Sequence, residues 1–464
     1  MSNASTLSGM YAGGIPHMHQ NGAASRFQTI ARILLIATLF AAPWAYGAVL
    51  PWSWGAMTAA AFLALILWAL GCAQRGVLKI AWSPLYWPFL AFLLLAVVQF
   101  FAGLTIDRLA TRESLLKIVA DLVFFFLAGQ LLNGQPENRG VLARLGLVVL
   151  LLAFALSVLA LAQFFTSPHA IYWEVRPNVG WVFGPYVNHN HYGGLMEMLM
   201  PVSAGYILSR PSHSPSRLVL WVAVILALVS VWVSGSRGAS AAVLVEGLLF
   251  GAILLWRRPQ ATGRRILPLA VGVVAVSIGI FAWMVETGRV SNRSWSIFTT
   301  DASSLEANFG ERFQAGKTAL RIIESHPVIG VGLGCFEYAF PQYATFATDM
   351  LWRHVHDDYL EVVAETGLPG GLVLVVALVL FFRLAFRRLR ERLRHEEGWI
   401  QLGAAVGCVG LLVHSLVDFN LRIPANAAWF VACLAIAVHP RSSLESLRKV
   451  VRASDPGRSG GFLT

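Results

Sequence analysis

The chain has 464 residues, of which 57% are hydrophobic and only 13% charged, with a formal net charge of +11. A soluble chain is about one quarter charged, whereas here the apolar residues arrive in blocks of about 17–25, the length that crossing a bilayer requires. A soluble globular enzyme is thereby excluded, and so is a disulfide framework, because Cys72, Cys335, Cys408 and Cys433 are scattered, with only Cys335 expected to be exposed.

In chain order, residues 1–27 are rich in Gly, Ser, Asn and Met and read as a disordered cytoplasmic tail. The first apolar block is too long for a signal peptide and has no persuasive small-residue cleavage site, so it reads as an uncleaved span. The blocks predict spans over 28–50, 55–73, 85–104, 115–133, 142–165, 191–209, 218–234, 239–256, 266–285, 367–386, 399–416 and 424–439. The expected fold is an all-α polytopic integral membrane protein of about twelve transmembrane helices, with one large helical periplasmic loop. The membrane domain would cover 28–439, the loop 286–366 would join spans nine and ten, and 440–464 would be a basic cytoplasmic tail. Trp52, Trp54, Trp82 and Trp87 lie near block ends, as interfacial anchors do.

An even number of spans puts both termini on one side. The segments on that side hold Arg75 and Lys79, Arg139 and Arg144, Arg210 and Arg217, Arg257, Arg258, Arg264 and Arg265, and the run Arg383–Arg394. The short loops opposite hold only Arg108, Arg112, Arg176, Arg237 and Arg422. The positive-inside rule then predicts an inner-membrane protein with both termini cytoplasmic and its polar face on the outer side. Topology and the lipid bilayer's anionic headgroups account for the basic charge, and nucleic acid is not expected as a partner.

Five polar constellations fall on the predicted outer face, where polar groups near membrane depth are costly. The first is Arg176–Tyr192, in which Asn188, His189, Asn190 and His191 stand where a span begins. Helix capping explains Asn188 or Asn190 singly, but not four polar residues in a row. The second is Ser234–Gly235–Ser236–Arg237–Gly238, whose Arg either snorkels or aims a planar fork at a phosphate. Third, apolar spacing predicts a helix over 311–323, stopped by His326–Pro327 and followed by a close-approach turn at Gly330, Gly332 and Gly334. Arg312 stands near its start, against the dipole preference. The fourth is Arg353–His354–Val355–His356–Asp357–Asp358–Tyr359–Leu360–Glu361, where carboxylates beside His suit a general base. A second helix should begin near Asp357 and run through Glu365. The fifth is His414–Pro424, in which Asp418 and Arg422 are spaced to pair with each other. A metal site built from His354 and His356 with His189 and His191 remains an alternative, although no HExxH spacing or acidic ligand cluster completes it. No Walker motif or GxGxxG fingerprint points to a nucleotide-driven pump.

At these residues the chain resembles the O-antigen ligase/polymerase superfamily of bacterial membrane glycosyltransferases. Gly184–Tyr192 is similar to that family's segment ending in Asn-x-Asn-His, and Ser236–Arg237–Gly238 to its Ser-Arg-Gly turn. Arg312–Phe313 with Pro327–Gly332 is similar to the opening of its large loop. His354–Leu360 with Ala364–Gly367 is similar to its His-x-His-Asn-Asp-Tyr-Leu and Ala-Glu-Thr-Gly run, and His414–Asp418 to a further motif of its longer members. The resemblance covers residues of about 170–425. It implies transfer of a glycan from undecaprenyl diphosphate to an acceptor hydroxyl, a lipid A-core sugar or a growing polysaccharide, with no metal, cofactor or nucleotide sugar. It also implies that Arg176 and Arg237, with Arg312 behind them, hold the donor diphosphate, and that His356 is the base, with His354 close to it. Asn188, Asn190, Asp357, Asp358 and Asp418 would support them. Asp357 departs from the family's usual Asn, and a carboxylate there would raise the basicity of His356. From a different class, a polysaccharide exporter or flippase also needs a basic outer cavity. It should carry polar residues inside many spans, whereas Glu197, Glu246 and Lys117 are the main exceptions to apolar spans here.

Overall fold

The computed structural model describes residues 26–76, 78–132, 140–177, 181–211, 216–256, 302–344, 346, 352–393 and 397–438. Among them the chain is all-α, and its few β-bridges are isolated. In order, the helices are α1 (Arg26–Ala41), α2 (Pro51–Arg75), α3 (Tyr86–Phe101), α4 (Arg108–Leu131), α5 (Val141–Thr166), α6 (His189–Leu208), α7 (Ser216–Ser234) and α8 (Arg237–Trp256). Then come α9 (Ala302–Ser325), α10 (Phe336–Tyr343), α11 (Asp358–Arg392), α12 (Gly398–His414) and α13 (Pro424–Val438).

Seven described helices are long and apolar enough to cross a membrane, which makes the chain a polytopic membrane protein. They are α1 with its 3-10 extension to Trp44, α2, α4, α5, α7, α8 and the first 30 residues of α11. The expected twelve are not reached. Helices α3, α12 and α13 are apolar but shorter than 18 residues, and about 20 are needed to span the hydrocarbon. For two of the three, apolarity has a different cause: α12 and α13 are buried against other helices along nearly their whole length. The ninth block, 266–285, lies outside the described residues, as do the tails 1–25 and 439–464 and the loop segment 286–301. Seven is odd, which argues against both termini lying on the cytoplasmic side. That expectation is corrected, together with the orientation built upon it, because it counted every apolar block as a crossing.

Helix α6 is buried on all sides and packs against α5, α7, α8 and α12. Close approach is set by small residues, the usual device where no water drives helices together. Gly403 and Gly407 of α12 lie against the α6 backbone, where added Cβ atoms would strike the Pro201 carbonyl and come within 2.8 Å of Met198 Cα. Gly205 of α6 lies in return against the Trp399 backbone.

The described part of the long loop has its own core, in which Ala315, Ala319 and Ile322 of α9 meet Phe336, Phe340 and Trp352. The helix expected over 311–323 forms the second half of α9, and Gly330, Gly332 and Gly334 all have positive φ. Cys335 is fully buried in this core rather than exposed, beside the Thr105 and Thr111 hydroxyls. Helix α11 breaks at Gly367 (φ 70°, ψ −175°). Pro369 has no N–H to return to the Glu365 carbonyl, which accepts instead from the Gly332 N–H and the Gln99 amide. The Leu368 N–H turns to the Pro327 carbonyl. The glycine turn and the helix break therefore complete each other's hydrogen bonds.

Gly367→Ala should destabilise the protein by about 1–3 kcal/mol, since that backbone region is essentially open to glycine alone and a Cβ would sit 2.7 Å from the Val328 carbonyl. Thermal unfolding of the purified protein measures it; an unchanged midpoint would contradict the account of the break.

Candidate active site

Three chain ends converge at one end of the helix array: the start of α6, the stretch 352–357 leading into α11, and the connection Ser415–Ile423 between α12 and α13. Asn188 caps α6 by accepting the Asn190 N–H at 2.9 Å, so it is held by helix geometry. Asp357 does the same for α11, accepting from the N–H groups of Tyr359 and Leu360. The carboxylate expected to support His356 is thus committed to a cap.

Asp418, completely buried, takes that place. One oxygen accepts the Asn190 amide at 2.5 Å and the other the Phe419 N–H at 2.8 Å. His191 Nε2 lies 3.5 Å from it and His356 Nδ1 4.0 Å. Burial alone would raise this carboxyl, but the contact with His191 and the charges of His414 and His356 outweigh it and hold it well below the usual carboxylate range. The neighbouring ring of Phe419 gathers the imidazoles: His354 stacks on it at 4.2 Å, and His191 and His356 meet its edges at 4.7 and 4.8 Å.

His356 has a left-handed backbone (φ 63°), uncommon for a side chain of this size. Its Nδ1 is enclosed without a hydrogen bond, which leaves Nε2 as the ring nitrogen for a ligand. Burial pushes its pKa down to about 4; Asp418 opposes this, while Arg312 and His354 add to it. His354 is held differently, with Nδ1 2.8 Å from the buried Glu361 carboxylate. Arg422 pairs with Glu361 at 3.3 Å and Glu365 at 2.6 Å, and so is not the partner of Asp418 that its spacing suggested. Asp358 is buried, accepting from the Ser415 hydroxyl and the Leu421 N–H, and braces the connection.

Of the three arginines, Arg312 reaches the cluster, donating to the Val417 carbonyl at 2.9 Å. Arg237 is half-buried in the first turn of α8, beside Gly238, where a Cβ would sit 2.5 Å from His414 Nε2. Arg176 stands apart, exposed just past the Ile171–Val175 bridge.

Residues 222–375 match the O-Antigen ligase family. That stretch, part of the chain only, is similar to an O-antigen ligase domain. No curated protein is detectably similar to the chain. The matched O-antigen ligase stretch contains Arg237, Arg312, His354 and His356, while His191 and Asp418 lie outside it, so the site joins that stretch to its flanking helices. Sequence reasoning passed over Phe419, Glu361 and His191 as site residues. All three stand in the polar stretches singled out in the sequence, Glu361 in Arg353–Glu361, Phe419 between Asp418 and Asn420, and His191 closing the Asn-x-Asn-His segment, but order along the chain gave none of them its partner. Among the described residues no group of three His, Cys, Asp or Glu is arranged to hold a metal ion.

Were His356 a general base it would work only unprotonated, and the acidic limb of kcat/KM would fall as pH drops through about 4, rather than near the ordinary imidazole value of about 6.5. Between those limits the unfolded chain binds a proton that the folded one excludes, so stability should rise with pH there. A pH–rate profile breaking near 6.5 would contradict this environment for His356.

Proposed function

We propose that the protein is a glycosyltransferase of the O-antigen ligase/polymerase type, moving a glycan from undecaprenyl diphosphate to an acceptor hydroxyl. The observation that carries this reading is the gathering of His356, His354 and Asp418 around Phe419, partly within the stretch similar to an O-antigen ligase domain.

In this reaction His356 Nε2 takes the acceptor's hydroxyl proton as its oxygen attacks the anomeric carbon. The bond from that carbon to the donor phosphate breaks, and the diphosphate leaves with the electron pair. Asp418, 4.0 Å from His356 Nδ1, stabilises the imidazolium as it forms, more strongly in an enclosed site than in water. Arg312 and Arg237 neutralise the leaving diphosphate, with the guanidinium fork suited to paired phosphate oxygens. The acceptor is a glycan or a glycolipid. No step requires a metal or cofactor.

His356→Ala should lower transfer from an undecaprenyl-diphosphate-linked oligosaccharide by about 100-fold or more, with membrane insertion unchanged. Full activity in that variant with loss in His354→Ala would move the base to His354, whose carboxylate contact is the closer one. Arg237→Lys should impair transfer, because a point charge does not replace the bidentate fork; wild-type kinetics would leave Arg237 an interfacial residue. Movement of the lipid-linked glycan across vesicles without new glycosidic bonds would replace the transferase reading by that of an exporter or flippase.

A further inference from the structure

Glu361 and Glu365 lie one helical turn apart on α11, both fully buried, and neither takes part in the chemistry above. A single guanidinium spans them: Arg422 Nε is 3.3 Å from Glu361 and Nη2 is 2.6 Å from Glu365. The remaining contacts are also occupied. Glu361 faces His354 Nδ1 through one oxygen at 2.8 Å and accepts the Val355 N–H through the other at 2.9 Å. Glu365 accepts the Phe336 N–H at 3.3 Å. Without the guanidinium, two like charges would be left in a water-excluded site, which buried carboxylates avoid by turning away or by taking up a proton. Either change would release His354.

The same connection grips the other side of that ring. Phe419, three residues before Arg422, stacks on His354 at 4.2 Å with 25° between the planes. The imidazole is thus held by its face through Phe419 and by its edge through the carboxylate that Arg422 holds.

We propose that Arg422 is a positioning residue: by clamping Glu361 it fixes the His354 ring with Nδ1–H on the carboxylate and Nε2 turned to the substrate side. A ring nitrogen against an ionised carboxylate carries a hydrogen, so the clamp sets which nitrogen is presented as well as where it points. This inference rests on the transferase reading in so far as it concerns activity, and on the geometry alone in so far as it concerns the ring.

The test uses full-length protein in lipid nanodiscs, assayed with an undecaprenyl-diphosphate-linked oligosaccharide as donor and, in separate reactions, the same lipid-linked oligosaccharide or a lipid A-core glycolipid as acceptor. It is paired with ¹⁵N-histidine NMR in which His354→Ala identifies the His354 signals. Arg422→Lys keeps the charge but cannot span both carboxylates, and Glu361→Gln removes the anion from His354. Both should lower kcat by about 100-fold, the scale of a small misplacement of a reacting group, and both should shift the His354 signals while sparing His189. Glu365→Gln leaves the Arg422–Glu361 pair and loosens only the side of the clamp away from His354, so it should lower kcat less than either of the other two. Unshifted His354 signals in Arg422→Lys and Glu361→Gln would overturn the proposal, as would a loss in Glu365→Gln equal to theirs. Absence of transfer by the wild-type protein would instead sink the functional reading, and the NMR arm would still decide whether Arg422 holds the ring.

Discussion

The carboxylate of Asp418 is enclosed on every side, and the surroundings are shaped by the need to satisfy it. A buried anion without partners is among the costliest things a fold can hold. Here it is met by the Asn190 amide, the Phe419 N–H and the rings of His191 and His356. The two donors and the two neighbouring rings come from three separate parts of the chain, so the anion makes their meeting obligatory. The left-handed backbone at His356 is the local strain that brings one of them into place, a kind of strain that surrounding contacts must sustain.

That meeting depends on a scaffold of close-packed helices. Glycines at Gly403 and Gly407 let α12 lie directly on α6, and Gly193 and Gly194 bring the start of α6 against Ala239 and Asn420. Further down the same interface His414 is bonded to the buried Glu197 at 2.7 Å, which ties the end of α12 to α6 just before the connection that carries Asp418. On the other side, the break at Gly367 turns α11 so that its first turns, with Asp358, Glu361 and Glu365, face that connection. The segment is pinned at both ends before it offers any group to a ligand.

Much of this could be read from residues in order. The apolar blocks gave the membrane class, and polar runs against membrane logic pointed to His354, His356, Arg237, Arg312 and Asp418. The glycine turn after His326–Pro327 and the start of α11 at Asp358 followed from local backbone chemistry. The pairings did not. Asp357 adjoins His356 but caps a helix, and Asp418 and Arg422 have the spacing of partners yet turn to different ones. Apolar blocks also overstated the crossings, because a helix buried in protein is as apolar as one facing lipid.

By itself, then, the sequence determined the all-α membrane class, the polar runs from which the candidate site is drawn, and the local signals that start, stop and bend helices. These depend on composition, period and the conformational limits of Gly and Pro, all of which are local. Only the tertiary structure decided which carboxylate serves which histidine, which arginine reaches the cluster and how many helices are long enough to cross. Those outcomes depend on contacts between residues hundreds of positions apart, such as Asn190 with Asp418, where burial, rather than spacing, selects the partner.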